Sequence, residues 1–157
     1  MSKRVALGAD HAGFELKQLI HKELQKDGYE VVDCGTDSTE PCDYPDFARA
    51  VGEQVRAGKV QLGILVCGSG VGASVAVNKV PGVRAGLCHD TFSARQGRED
   101  DDTNVLCMGA RVIGSSLAME VLRAFLKAEF SGAERHVRRL NKVIGIEKQY
   151  MNNAVAG

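Results

Sequence analysis

Five short apolar runs alternate with amphipathic stretches along this 157-residue chain, and that alternation restricts the fold more than any other feature. Residues 4–9 predict a strand. A helix follows over 14–26, with Leu16, Leu19, Ile20 and Leu24 on one face, and Gly28 stops it. A second strand spans 30–34. Pro45 then opens a helix in which Phe47, Val51 and Val55 share a face, and Gly58 ends it. The run 61–67 predicts a third strand, and its unbroken apolar character suits the centre of a parallel sheet. Further elements are predicted over 71–79 (helix), 83–88 (strand), 91–99 (helix) and 104–108 (strand). A helix over 115–129 turns Leu117, Val121, Leu122 and Phe125 inward, and a last helix spans about 134–150. Strand and helix alternating five times imply an α/β fold: a five-stranded parallel sheet covered on both faces by right-handed crossovers. With no linker, repeat or low-complexity block, residues 1–157 read as one domain, and the small polar tail 152–157 reads as disordered.

Charge narrows the partners. Lys+Arg and Asp+Glu both number 20, so the chain lacks the basic excess expected of a nucleic-acid binder. No apolar run approaches the ~20 residues of a transmembrane helix. Five cysteines at 34, 42, 67, 88 and 107 form no C-x-x-C, which argues against a disulfide scaffold or a zinc knuckle. The first apolar run meets polar Asp10-His11 too soon for a signal peptide. The expectation is a reduced, cytoplasmic protein.

In a sheet of this kind, ligands bind at the carboxyl ends of the strands. Asp10-His11 follow the first strand, Cys67-Gly-Ser-Gly-Val-Gly72 the third, His89-Asp90 the fourth and Gly109-Ala-Arg111 the fifth. The loop of Gly68, Ser69, Gly70, Val71 and Gly72 resembles an anion cradle, since strand, glycine turn and helix start aim backbone N–H groups at one point. It is not a P-loop, because no Gly-Lys-Ser/Thr follows. It is not a dinucleotide fingerprint, because the first strand lacks it. A tight βα turn would account for the glycines alone. Cys67 shifts the balance, because a thiol at a strand end facing a helix start is drawn from a pKa of ~8.5 toward neutrality. The competing reading is a buried structural cysteine. Cys88 and Cys107 lie within strands and look structural.

Arg135 and Arg139 stand i, i+4 on the last helix and share a face. With Arg111 they would grip a phosphate, although a solvated basic face explains the same spacing. The run Glu99-Asp100-Asp101-Asp102 crowds four carboxylates near a helix C-terminus, where the dipole favours cations. It reads either as a solvated acidic loop or as a face toward a basic or hydroxyl-rich partner.

Seven motifs then occur in order: Asp10-His-Ala-Gly-Phe14, Asp43-Tyr-Pro45, Cys67-Gly-Ser-Gly-Val-Gly72, Ala76-x-Asn-Lys-Val80, Asp102-Thr-Asn-Val-Leu106, Gly109-Ala-Arg-Val-Ile-Gly114 and Arg135-His-x-x-Arg139. Together they resemble the type B ribose-5-phosphate isomerases, a superfamily shared with the galactose-6-phosphate isomerase subunits. The resemblance implies a Rossmann-like three-layer αβα sandwich. It implies a homodimer or dimer-of-dimers tetramer with sites shared between subunits, and no metal or organic cofactor. The implied reaction interconverts aldose and ketose sugar phosphates through a cis-enediolate. By that resemblance Cys67 is the base moving a proton between C1 and C2. The 68–72 loop stabilises the enediolate oxygens, with Ser69 among the catalytic candidates. Asp10 and His11 contact the sugar and its phosphate end, and Tyr44 lines the pocket. Arg111, Arg135 and Arg139 hold the phosphate, with Arg111 supplied by the partner subunit. A second branch of the family uses a glutamate base, and here that position is Ala73, so the chain falls on the cysteine side.

One segment departs from the pattern. Where the family carries Glu-His-Asn, this chain carries Glu99-Asp100-Asp101. The ring-opening histidine is thus Asp100, and the substrate-binding asparagine is Asp101. A carboxylate near pKa 4 is a poor acid at pH 7 unless burial raises it. Three readings stay open: Asp100 acts with a raised pKa, another group such as His11 opens the ring, or the substrate needs no opening. A tetrose 4-phosphate meets the last condition, because the oxygen required for a furanose ring carries the phosphate. A hexose 6-phosphate substrate and a non-catalytic sugar-phosphate-binding module are the remaining alternatives.

Overall fold

The computed structural model describes residues 3–153. Strands and helices alternate as β1 (Arg4–Ala9), α1 (Phe14–Lys26), β2 (Glu30–Asp33), α2 (Tyr44–Arg56), β3 (Leu62–Cys67), α3 (Val71–Val77), β4 (Ala85–Leu87), α4 (Thr91–Asp101), β5 (Val105–Gly109), α5 (Ser115–Lys127) and α6 (Glu134–Asn153). The five strands form one sheet in the order β2-β1-β3-β5-β4, and every pairing is parallel. The α/β fold expected from the alternation is therefore present, with element ends displaced by a few residues. The edge strand β4 is shorter than expected because the side chain of Asn104 takes the Arg84 amide at 2.7 Å before the ladder begins. Helix α6 continues through Asn152 and Asn153, which the sequence placed in a disordered tail, and residues 154–157 lie outside the described residues. The peptide between Gly35 and Thr36 is cis.

The two faces of the sheet follow from the two-residue period of a strand. Val5, Leu7, Ala9, Ile64, Val66, Leu106 and Met108 point to one side, where Ile20 and Leu24 of α1 and Val121, Leu122 and Phe125 of α5 cover them. Ala6, Leu65, Cys67, Val105 and Cys107 point to the other, against Ala48 and Val51 of α2 and Ala73 and Val77 of α3. This is the three-layer αβα sandwich. Each fully buried Leu, Ile or Phe contributes about 1.5–3 kcal/mol relative to exposure, so these stripes decide which helix covers which face.

Two inward assignments are corrected. Leu19 is 47% exposed and Leu117 39%. In α1 the buried stripe is Leu16, Lys17, Ile20 and Leu24. The helix is rotated so that a lysine lies inward, because its ammonium finds the carboxylate of Asp33. In α5 the stripe is Ala118, Val121, Leu122, Phe125 and Leu126, one position away from Leu117.

The strand order locates the ligand crevice. From β1 the chain winds outward to β2, then returns to place β3 on the other side of β1. The carboxyl ends of β1 and β3 thus flank a topological switch point, where the connections diverge and leave a gap.

Candidate active site

A cavity of about 340 Å³ opens at that switch point, lined by Asp10, Tyr44, Cys67, Gly68, Ser69, Gly72, Arg111 and Val112. A larger hollow of about 630 Å³ lies between α2 and α3, where Pro45, Ala76, Val80 and Pro81 give it an apolar wall and Arg49, Arg56 and Lys79 a charged one. It holds neither a thiol nor a histidine, so size does not locate the chemistry, and the smaller cavity is the candidate site.

Cys67 ends β3 with its side chain on the α2/α3 side of the sheet. Its sulfur accepts a hydrogen bond from the Gly70 amide at 3.1 Å. That contact requires the turn to fold back on itself, and Gly70 adopts the left-handed region with φ +79°. A Cβ there would also lie 2.6 Å from Leu87 Cδ1 and 2.8 Å from the Met108 carbonyl carbon. Only glycine meets both conditions. Gly72 meets a steric one: a Cβ would lie 2.7 Å from the Tyr44 ring, which packs directly over the start of α3. The Ser69 hydroxyl accepts from the Val71 amide at 3.2 Å, which leaves its own proton free to donate.

The end of β5 clamps this loop. The Ala110 amide donates to the Cys67 carbonyl at 2.9 Å, and the Arg111 amide to the Gly68 carbonyl at 3.0 Å. Arg111 therefore lines the cavity of its own chain, which corrects the expectation that a partner subunit supplies it. The cause is the β3–β5 pairing, in which Cys67 stands opposite Gly109. A residue the sequence reading left without a role completes the clamp: His89 Nε2 accepts the Gly109 amide at 2.8 Å. Its position after the fourth strand was visible in the sequence. Its contact was not, because alternation does not show that β4 lies beside β5.

At the β1 end, the carboxylate of Asp10 is buried and accepts the Gly13 amide at 3.1 Å. His11 Nδ1 accepts the Cys42 amide at 3.1 Å. An amide only donates, so in the neutral ring the proton sits on Nε2. The Cys42 sulfur also lies 3.8 Å from His11 Nδ1, a pairing that no local sequence pattern announces.

Asp100, Asp101, Arg135 and Arg139 do not line the cavity. Asp100 is turned toward α6: Gln96 Nε2 donates to its Oδ2 at 2.7 Å, and the Nε2 of buried His136 lies 3.4 Å from its Oδ1. The Ser131 hydroxyl in turn meets His136 Nδ1 at 2.6 Å. Asp101, Arg135 and Arg139 are exposed. Asp102 adopts φ +48° and pairs with both Arg84 and Arg98, so it is the structural member of the acidic run.

All five cysteines are free. Burial pushes the Cys88 and Cys107 thiols above their ordinary value, in keeping with structural roles. Burial and the neighbouring Asp33 carboxylate do the same to Cys34. Among the described residues no cluster of His, Cys, Asp or Glu is arranged to hold a metal ion, and no helix is long and apolar enough to cross a membrane.

Comparison with known proteins places this geometry in context. The sequence profile of the Ribose/Galactose Isomerase family matches residues 5–143. The Escherichia coli protein named Ribose-5-phosphate isomerase B is 45% identical over 147 residues, covering 94% of this chain and 98% of that one. A protein of Pectobacterium atrosepticum named D-erythrulose-4-phosphate isomerase is 46% identical over 129 residues, covering 82% and 85%. The solved structure of Clostridium thermocellum Ribose-5-Phosphate Isomerase B superposes with a TM-score of 0.91 at 47% identity, covering 94% of this chain and 99% of that one.

Proposed function

The chain belongs to the ribose/galactose isomerase family, and from that premise we propose that it is a sugar-phosphate aldose–ketose isomerase interconverting ribose 5-phosphate and ribulose 5-phosphate with Cys67 as its base. The observation that carries the assignment is the Gly70 amide on Cys67 Sγ at 3.1 Å, at the wall of a cavity of about 340 Å³. A backbone N–H pointed at sulfur stabilises negative charge there, and a thiolate is the form able to take a proton.

The chemistry balances within the substrate. Cys67 takes the proton from C2 of the open-chain aldose, and the C–H electron pair forms the C1=C2 bond as O1 gains negative charge. The Gly70 and Val71 amides are taken by Cys67 Sγ and Ser69 Oγ, so the Ser69 hydroxyl and the remaining loop amides face the enediolate oxygens and stabilise that charge. The O2 proton passes to O1, C2=O forms, and C1 recovers the proton from Cys67. Asp10 accepts from the sugar hydroxyls, Tyr44 closes the wall and Arg111 binds the phosphate. His11 supports ring opening, since its Nε2 carries the proton.

Arg135 and Arg139 reach a site only between chains. Helix α6 has one buried residue, His136, and exposes Val137, Val143, Ile146, Tyr150 and Met151. Two copies of this one-domain chain pair so that α6 of each covers the cavity of the other, as a homodimer or as half of a tetramer. Five free cysteines agree with a reducing, cytoplasmic setting.

A second reading has its own support. Asp100 is occupied by Gln96 and His136, and a relative 46% identical is named for a tetrose phosphate. A substrate that forms no furanose ring asks no ring-opening acid of Asp100. Measuring kcat/KM on four-, five- and six-carbon sugar phosphates tests both. A preference for ribose 5-phosphate supports the main reading, one for erythrulose or erythrose 4-phosphate supports the second, and no turnover of any sinks both.

A further inference from the structure

Lys17 is 2% exposed, and the mechanism makes no use of it. Burying an ammonium is costly unless it is paired, so its partners report what the fold gains from it. Its Nζ donates to both oxygens of Asp33, at 2.7 and 2.8 Å. Burial raises the Asp33 carboxyl, but the Lys17 hydrogen bond, the Gly35 amide and the charges of Lys17 and His21 outweigh it and leave the group below its ordinary range.

The contact does not end at Asp33. Asp33 Oδ1 also accepts the Gly35 amide at 2.9 Å. The Gly35 carbonyl accepts the Ala9 amide at 2.6 Å, and the Thr36 amide donates to the Ala9 carbonyl at 2.6 Å. The next residue is Asp10, whose Oδ1 receives the Gly13 amide. The Gly13 carbonyl accepts the Lys17 amide at 2.8 Å, which returns to the starting residue. The hydrogen bonds close a ring from α1 through the end of β2 to the end of β1 and back. Asp10 and His11 stand on its corner.

We propose that Lys17 and Asp33 are positioning residues for substrate binding, holding the Asp10–His11 corner through the Gly35–Thr36 loop. The proposal rests on the isomerase reading of the cavity. A surface ion pair would contribute little and organise nothing. This one is buried at the lysine end and is continued by backbone bonds on both sides.

The test uses Cys67→Ala as background, so that binding is read without turnover, and ribose 5-phosphate as the probe. Lys17→Met keeps the length and apolar stem of the side chain and removes the charge. Its Kd for ribose 5-phosphate should rise about tenfold. In the enzyme with Cys67 intact, the same change should raise KM far more than it lowers kcat. Lys17→Met/Asp33→Asn removes both charges and leaves an acceptor for Gly35, but nothing orients it. That double variant should regain part of the thermal stability that Lys17→Met loses, without regaining affinity. Recovery of both together, or a lowered Tm with unchanged Kd, overturns the proposal. Binding without turnover in the enzyme that keeps Cys67 overturns the isomerase reading alone, because the Kd comparison still decides the positioning role. If ribose 5-phosphate does not bind the Cys67→Ala protein, both fall.

Discussion

The amide of Gly70 points at the sulfur of Cys67 across 3.1 Å, so the loop that follows β3 closes on the side chain that ends it. Replacing Cys67 by alanine removes the proposed base and leaves the cradle. Turnover of the preferred sugar phosphate should fall by about 10²–10⁴-fold, the usual worth of a positioned base. Binding should stay within a few-fold, since the phosphate contacts lie elsewhere. Steady-state rates together with calorimetric titration check this, and near-normal turnover would remove Cys67 from the mechanism.

Gly70→Ala tests the turn rather than the base. The left-handed backbone costs an L-residue roughly 1–2 kcal/mol. The added methyl also meets Leu87 and the backbone of Met108 at distances the structure does not tolerate, adding about 1–3 kcal/mol of overpacking. Urea unfolding should show a loss of this order, with kcat reduced as the amide leaves the sulfur. Unchanged stability and rate would contradict the geometry.

These two residues mark how far the sequence could be read. Cys67 and its glycines lie in one contiguous motif after an apolar strand, so their place at a strand end followed from local pattern alone. The Gly109-Ala-Arg111 motif marks Arg111 as a phosphate ligand but does not say which subunit's cavity it enters. The β3–β5 pairing that puts it beside Gly68 depends on strand order, which alternation does not encode. The spacing of Leu19 from Leu16 predicts an inward side chain, yet Leu19 is exposed. What rotates the helix is the charge pairing of Lys17 with a residue 16 positions later. The Asp100–His136 contact joins two motifs 36 residues apart, and nothing in either announces the other.

Arg135→Ala should mainly raise KM. A charge-assisted hydrogen bond to phosphate is worth about 1.5–3 kcal/mol, or roughly 10–100-fold in kcat/KM, and it is felt before and during the reaction. Mixing this variant with Cys67→Ala tests the shared site. In a hybrid dimer one site receives both lesions and the other neither, so activity at low substrate should reappear on mixing and subunit exchange. A site built within one chain would show no recovery.

Asp33 makes stability depend on acid. Its folded pKa lies below the ordinary 3.8, so its ion pair stabilises the fold above that value and is lost as pH falls through the folded value. Denaturant unfolding between pH 6 and pH 3 should show wild type above the Lys17→Met/Asp33→Asn protein at the upper end. The gap should narrow below about pH 4. A gap constant to pH 3 would mean that Asp33 is not the titrating group.

Asp100 carries the question of substrate, and asparagine at that position answers it. If the carboxylate opens the furanose ring, Asp100→Asn should lose activity on ribose 5-phosphate and keep it on a tetrose 4-phosphate, which has no ring to open. If it works through His136, the result differs. Its Oδ1 faces the single buried side chain of α6, the helix that carries Arg135 and Arg139. Weakening that contact loosens the phosphate grip for every substrate alike. We expect the second outcome, because Gln96 already occupies the other oxygen. KM should then rise by a similar factor for four- and five-carbon substrates, with kcat little changed. His136→Gln should reproduce that pattern without touching position 100. A ribose-specific loss of kcat in Asp100→Asn, absent from His136→Gln, would return the acid role to Asp100.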